Sequence, residues 1–361
     1  MAIIPLYGHG ALKERLKDAV LAGRLPSSLL FHGPHGTGKQ RLALWLGQLL
    51  LCSGAGEEHP CGRCQSCRYA VELANPDIHW FFPRSRLSNA DAGSEDVRAD
   101  HVEAIGERLK TNGLYPPPSG SDGIHVATVR EIVRSAALAP ALGRFKVFII
   151  GDAERMASQE GSEQAANAFL KLLEEPPDNT RVIMTSSEPG ALLPTIRSRV
   201  VAVRVPPLTD GEVRRFIEDP TVAAALEKAS GTARTPADDL VALASGAPGS
   251  LLGAAGRNAA MRSARQLLDA ATSGDASAIS RAAMGQGAAK ARGAFSDMLD
   301  AMTVLLHERA RKAVRNADHR RATGAAKAMQ AVERAKELAY GNVSPQLLAA
   351  SLLRSIDREL R

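Results

Sequence analysis

The stretch Gly33-Pro34-His35-Gly36-Thr37-Gly38-Lys39-Gln40 constrains this chain more than any other. It follows a short apolar run, Ser28-Leu29-Leu30-Phe31, and opens an amphipathic helical pattern over 40–51. Strand, glycine loop and helix in that order form the context a phosphate-binding loop requires. Glycines let the backbone turn its N–H groups toward one anion, and the helix N-terminus adds favourable partial charge. Gly33, Gly36, Thr37, Gly38 and Lys39 are the expected phosphate contacts, with Lys39 reaching the outermost groups. A chance glycine-rich turn is the alternative, and the flanking strand and helix weigh against it.

A loop of this kind implies a mostly parallel α/β sheet covered on both faces. The rest of the first 205 residues fits. A helix is expected over 11–22, with Leu12, Leu16 and Val20 on one face, ending at the Gly23–Pro26 breaker. Apolar strands are expected at 77–82, 146–150, 181–185 and 200–205. Helices are expected over 126–138 and in a segment that ends at Glu175, before Pro176-Pro177. In that segment Ala166, Phe169, Leu170 and Leu173 recur at helical spacing and read as core. Residues 84–123, rich in Ser, Asp, Gly and Pro, read as an insertion with one charged helical stretch near 102–109. Beyond Pro206-Pro207 only helical patterns follow, at 209–217, at 236–245, and then in long alanine-rich runs. A chain of 361 residues is too long for one ordinary core. The expected division is 1–205 (α/β), 206–252 (a small helical part) and 253–361 (all helical).

The metal side of the phosphate loop departs from a working NTPase. Ser or Thr should follow the lysine to hold Mg²⁺; here Gln40 stands there, a bulkier and poorer ligand for a small, geometrically demanding ion. A second metal-binding carboxylate should close an apolar strand. Val147-Phe148-Ile149-Ile150 is such a strand, but it runs into Gly151-Asp152, so Gly151 takes the metal-side position unless the register slips to Asp152. Phosphoryl transfer leans on Mg²⁺ and an oriented nucleophile. The site is expected to hold ATP or ADP at most weakly and to turn it over poorly, with a doubtful place for Mg²⁺.

All four cysteines, Cys52, Cys61, Cys64 and Cys67, lie within sixteen consecutive residues, spaced C-x8-C-x2-C-x2-C. Four thiolates at such spacing can close a tetrahedral Zn²⁺ site. An iron–sulfur cluster and unrelated buried thiols are the alternatives. No other redox feature accompanies the cluster, so a structural role is expected. Disulfides would be spread along the chain, and this grouping fits a reducing cytoplasm better. The N-terminal residues lack the pattern of a secretory signal, and no apolar run approaches the roughly 20 residues of a membrane helix.

Net charge is +6 with a pI near 9.3, a mild basic bias that permits nucleic-acid contact without arguing for it. An aromatic share of 4% argues against an exposed base-stacking surface. His9, His32, His35 and His125 lack partners at metal-ligand spacing and are assigned no chemistry. Ser186 and Ser187 end a strand where a polar group can sense a terminal phosphate or simply cap the strand.

Taken in order, the phosphate loop, the cysteine module, NPDIHWFFP, KVFIIGDAERM, AANAFLKLLEEPP, VIMTSS and TIRSRV resemble the bacterial clamp-loader AAA+ subunits over residues 1–205. The resemblance implies an AAA+ domain followed by a helical lid and a collar that oligomerises. It implies a role in DNA replication, in ATP-dependent loading of a sliding clamp onto primed DNA. Partners would be the motor subunits gamma and tau and the clamp-opening delta subunit. Polymerase chemistry would belong to the holoenzyme and not to this chain. Ser198-Arg199 matches the start of the family's Ser-Arg-Cys motif, with Val200 in place of the cysteine. The resemblance therefore implies that Arg199 is an arginine finger for a neighbouring subunit's ATP; by residue type alone it reads, like Arg197, as a solvated loop charge. Motor subunits are expected to carry a complete metal site and a sensor arginine, where Gly249 stands here. The chain resembles the stationary, finger-donating type better than a motor or a passive zinc-bearing scaffold.

Overall fold

The computed structural model describes residues 2–54, 59–85, 93–118, 122–156, 169–230, 237–285, 292–339 and 344–360. The chain forms two compact units, one built from 1–118 and 122–253, the other from 254–361.

The first unit is organised by a five-stranded sheet of β1 (Ser28–His32), β2 (Ile78–Phe81), β3 (Lys146–Ile150), β4 (Thr180–Ser186) and β5 (Val201–Arg204). Strand order is β2-β3-β4-β1-β5, and each neighbouring pair is parallel. Successive side chains point to opposite faces, so each central strand feeds two cores. Leu30, Phe148, Ile150, Val182 and Met184 enter one core; Leu29, Phe31, Val147, Ile149 and Ile183 enter the other. This explains the unbroken apolar runs in β1, β3 and β4. The first face is covered by α5 (Val126–Ala136), through Val129 and Ile132, and by a helix over 169–174, α6. The second is covered by α1 (Gly10–Leu21) and α2 (Lys39–Leu50), through Leu12, Leu16, Leu42 and Leu46.

Several boundaries differ from the sequence expectation. The helix near 102–109 extends over Ser94–Lys110 (α4). It buries only Val97 and Ala104 along its length, so apolar periodicity marks it faintly. Its ends carry the signal instead: Glu95 and Asp96 in the first turn, Arg108 and Lys110 in the last. Of the segment expected to end at Glu175, Ala166 lies outside the described residues, while Phe169 and Leu173 are buried and Leu170 packs at the rim of the core. The first unit closes with α7 (Pro194–Arg197), α8 (Asp210–Ile217), α9 (Pro220–Ser230) and α10 (Ala237–Ala244). No pattern in the sequence had singled out α9. Helices α8 to α10 pack around Val213, Phe216, Val222 and Val241, whereas Ile196 of α7 joins the core on the first face of the sheet. The second unit consists of α11 (Ala254–Thr272), α12 (Ala276–Met284), α13 (Arg292–Arg315), α14 (His319–Ala339) and α15 (Pro345–Leu360) around a core of its own. Among the described residues no helix is long and apolar enough to cross a membrane.

Candidate nucleotide site, exposed arginine and cysteine cluster

Because β1, β3 and β4 are parallel neighbours, their C-terminal ends bring Gly33–Lys39, Gly151-Asp152 and Ser186-Ser187 to one edge of the sheet. A cavity of about 120 Å³ opens beside them. Ile4, Leu6, Tyr7, Leu114 and Phe216 form its apolar part, and Gly36 to Gln40 and Asp152 its polar end.

Two loop carbonyls and a serine at the end of β4 satisfy Lys39. Its ammonium donates to the carbonyl oxygens of Gly33 and Pro34 and to Ser187 Oγ, each at 2.9 Å, which uses all three donors. Burial pushes its pKa down, against the opposing pull of Asp152 and Glu154. Of the two serines, Ser187 thus meets the loop lysine, whereas Ser186 Oγ accepts from the Glu188 N–H as a strand-end cap. His9, assigned no chemistry from sequence, places Nε2 2.7 Å from the Thr37 carbonyl, and burial lowers its pKa. Gly249, at the expected sensor position, donates its N–H to the Gly36 carbonyl at 2.9 Å.

The metal side is filled by a side chain. Gln40, 7% exposed, donates from Nε2 to Asp152 Oδ2 at 3.0 Å and accepts at Oε1 from Trp80 Nε1 at 2.9 Å. Indole can only donate, so Trp80 fixes which end of the amide faces which partner. A Cβ at residue 151 would lie 2.4 Å from Gln40 Oε1, so this amide can lie here only against a glycine. Asp152, in a left-handed turn (φ 47°), receives the Gln40 amide, and burial raises its pKa against the pull of Lys39 and Arg155. Gln40 and Gly151, met in the sequence as two separate departures, are one packing arrangement. Trp80 had read only as part of an apolar strand; its position in β2, beside β3, is what brings it here.

Arg199 lies just beyond α7 and does not line that cavity. Its Nε donates to Glu174 Oε1 at 2.8 Å, and Nη1 donates to the Thr195 carbonyl at 2.9 Å and to Ser198 Oγ at 3.1 Å. The Arg199 side chain as a whole remains 33% exposed. Val200, where the family motif has cysteine, packs at the edge of the core beneath.

The four cysteine sulfurs all lie within 4.8 Å of one another. Backbone N–H groups point at them in sequence: Cys61 N to Cys52 Sγ at 3.3 Å, and Cys64 N to Cys61 Sγ and Cys67 N to Cys64 Sγ, both at 3.4 Å. Such contacts favour thiolates, the form that ligates a metal. A Cβ on Gly54 would sit 2.6 Å from Cys61 Sγ, so the backbone closes directly over the cluster. The donor set fits one tetrahedral ion at typical Zn–S distances of roughly 2.3 Å. Bound there, an ion would tie the end of α2 to α3 (Gln65–Val71).

A phosphate loop at the edge of a five-stranded parallel sheet, followed by helices, defines an AAA+ P-loop fold. The family model described as "DNA polymerase III, delta subunit" matches residues 8–209. The chain belongs to that family, the clamp-loader subunits of DNA polymerase III. It is 32% identical over 194 residues to the gamma/tau subunit of Mycobacterium tuberculosis, covering 54% of this chain and 27% of that protein. It is 30% identical over 177 residues to the delta-prime subunit of Pseudomonas aeruginosa, covering 49% of this chain and 42% of that one. With the delta-prime subunit of Bacillus subtilis the figures are 28% over 204 residues, 56% and 49%. The chain thus spans half or less of the length of these relatives, and the two subunit types are about equally similar to it. A solved gamma subunit-related protein of Thermotoga maritima aligns over 96% of this chain and 99% of its own, at 16% identity and a TM-score of 0.43. That likeness adds nothing to the sheet order and the sequence match.

Proposed function

We propose that this chain is a delta-prime-type subunit, the stationary member of a clamp loader that helps place a sliding clamp on primed DNA. One observation carries this reading. The metal side of its own phosphate loop is filled by the Gln40 amide, held by Asp152 and Trp80 against Gly151. Phosphoryl transfer without Mg²⁺ at that point lacks its main charge neutraliser. The half-buried Arg199 stands outside that cavity, where it can serve a neighbouring subunit's ATP. The chain then works in the cytoplasm beside gamma or tau motor subunits and the delta subunit, with 1–205 as AAA+ domain, 206–252 as lid and 253–361 as collar. Zn²⁺ on Cys52, Cys61, Cys64 and Cys67 is structural, and ATP or ADP, if held by Gly33, Gly36, Thr37, Gly38 and Lys39, is not turned over.

The test is clamp- and DNA-stimulated ATP turnover by the reconstituted loader, with wild type and Arg199→Ala at matched assembly. Arginine fingers elsewhere contribute roughly 10³–10⁵ in rate, and even partial reliance predicts a loss of at least about tenfold. Unchanged turnover would leave a scaffold subunit. A second reading, a gamma/tau-like motor, draws on the 32% identity to gamma/tau and the intact Lys39. Steady Mg-ATP turnover by the isolated chain would establish it.

A further inference from the structure

The contacts of Arg199 point to a residue that the proposed mechanism does not use. We infer that Glu174 is a positioning residue for Arg199, fixing the direction in which the guanidinium is offered to a neighbouring subunit's nucleotide. This rests on reading Arg199 as a finger.

An arginine on a surface turn samples many rotamers, and a charge that must meet a transferring phosphoryl group gains from being aimed beforehand. Arg199 is aimed. One oxygen of Glu174 takes Nε at 2.8 Å and lies 2.5 Å from Nη2, while the Thr195 carbonyl and Ser198 Oγ take Nη1. All three nitrogens are engaged, yet the side chain is 33% exposed and can still reach a partner. The local contacts come from the same turn and move with it. Glu174 does not: it stands on α6, 25 residues away in sequence.

Both ends of this link are anchored in one core. Leu172 and Leu173, just before Glu174, are 6% and 5% exposed, and Ile196 of α7 is 1% exposed, all in the cluster under β3 and β4. Pro176-Pro177 ends the helix directly after, so the carboxylate sits at a fixed terminus. Glu174 itself is exposed, at 46% of its side chain. An exposed ion pair adds little to stability, so its value here lies in orientation.

The experiment uses the reconstituted loader carrying this chain as wild type, Arg199→Ala, Glu174→Ala, Glu174→Gln and the double Arg199→Ala/Glu174→Ala. Assembly is matched by size exclusion and chain stability by thermal unfolding. Misaiming a catalytic group costs rate more than binding. Glu174→Ala should therefore lower kcat for ATP by roughly 3- to 10-fold with KM for ATP changed less than about twofold. Glu174→Gln, which keeps an oxygen to accept from Nε, should retain part of the lost rate and carries the test if the alanine variant misfolds. The double variant should be no slower than Arg199→Ala alone, since Glu174 acts only through the guanidinium.

Wild-type kcat in both Glu174 variants, beside a large loss in Arg199→Ala, would overturn the positioning role and leave the finger standing. A further loss in the double variant would show that Glu174 acts apart from Arg199. Wild-type turnover in Arg199→Ala would remove both ideas together.

Discussion

Gln40 is where one side chain decides what this site can hold. Its amide is buried and satisfied at both ends, by Asp152 and Trp80. Gly151→Ala would drive a methyl group to 2.4 Å from Oε1, and overpacking of this kind costs about 1–3 kcal/mol, measurable by urea unfolding. Any ADP binding by wild type should be the same in Mg²⁺ and in EDTA by calorimetry; Mg²⁺ dependence would show that the amide yields to the ion. Two half-buried histidines set an acid limit. Burial holds His79, stacked on Phe148, and His101, stacked on Phe81, at pKa values of about 4, against 6.5 for free imidazole. A lowered pKa means that the unfolded state takes up the proton first. Stability from these groups is therefore complete above about pH 6.5 and lost as pH falls toward about 4. The unfolding temperature should drop through that window, and His101→Phe should flatten the profile. The departures at Gln40 and Gly151 were legible in sequence because each breaks a motif. Their contact was not, because it depends on which strands are neighbours.

At the scale of elements, β3 was legible to the residue because both of its faces are buried and four apolar side chains, Val147 to Ile150, run without a break. Helix α4 was misjudged in length because it lies over the core with few buried residues. Glu174 stands at the end of α6, and only the fold brings the turn after α7 against it. The cysteine module was legible in composition, and folding adds the closeness of the sulfurs and the N–H groups that face them. Its proposed metal should be measurable directly. Metal analysis of protein purified without added ions should find about one Zn per chain, with no visible absorption of an iron–sulfur cluster. Cys64→Ser should release the metal and make the 52–67 segment sensitive to protease, while β-sheet signals persist. Retained metal in that variant would mean the cluster is not the site.

Across the whole molecule, two units carry separate cores. Leu267, Leu268, Leu299, Met302 and Leu353 belong to the helical unit and share no cluster with the sheet. Leu268→Ala removes a fully buried side chain there and should cost about 2–5 kcal/mol. That loss should appear in the unfolding of the helical unit, with hydrogen exchange in β3 and β4 unchanged. The change from alternating strands and helices to helices alone was readable at Pro206-Pro207. By contacts, 206–253 groups with the sheet-bearing unit, while its helices gather with Ile4 and Leu114 in a cluster distinct from the two sheet-face cores. Sequence patterns report the type of element and not the core it joins.

The pairing of Gln40 with Gly151 also bears on the routes by which such a site could change. Restoring an acidic residue at 151 alone sets its Cβ into the amide already there. Shortening Gln40 alone strips Trp80 Nε1 of its acceptor and leaves Asp152 buried beside an empty space. Either change alone disturbs the contacts made here, and residue 151 gains a side chain beside Asp152 without a clash only when both positions change. In this packing the identity of residue 40 limits what residue 151 can be, and the reverse, so the two positions behave as one unit of change.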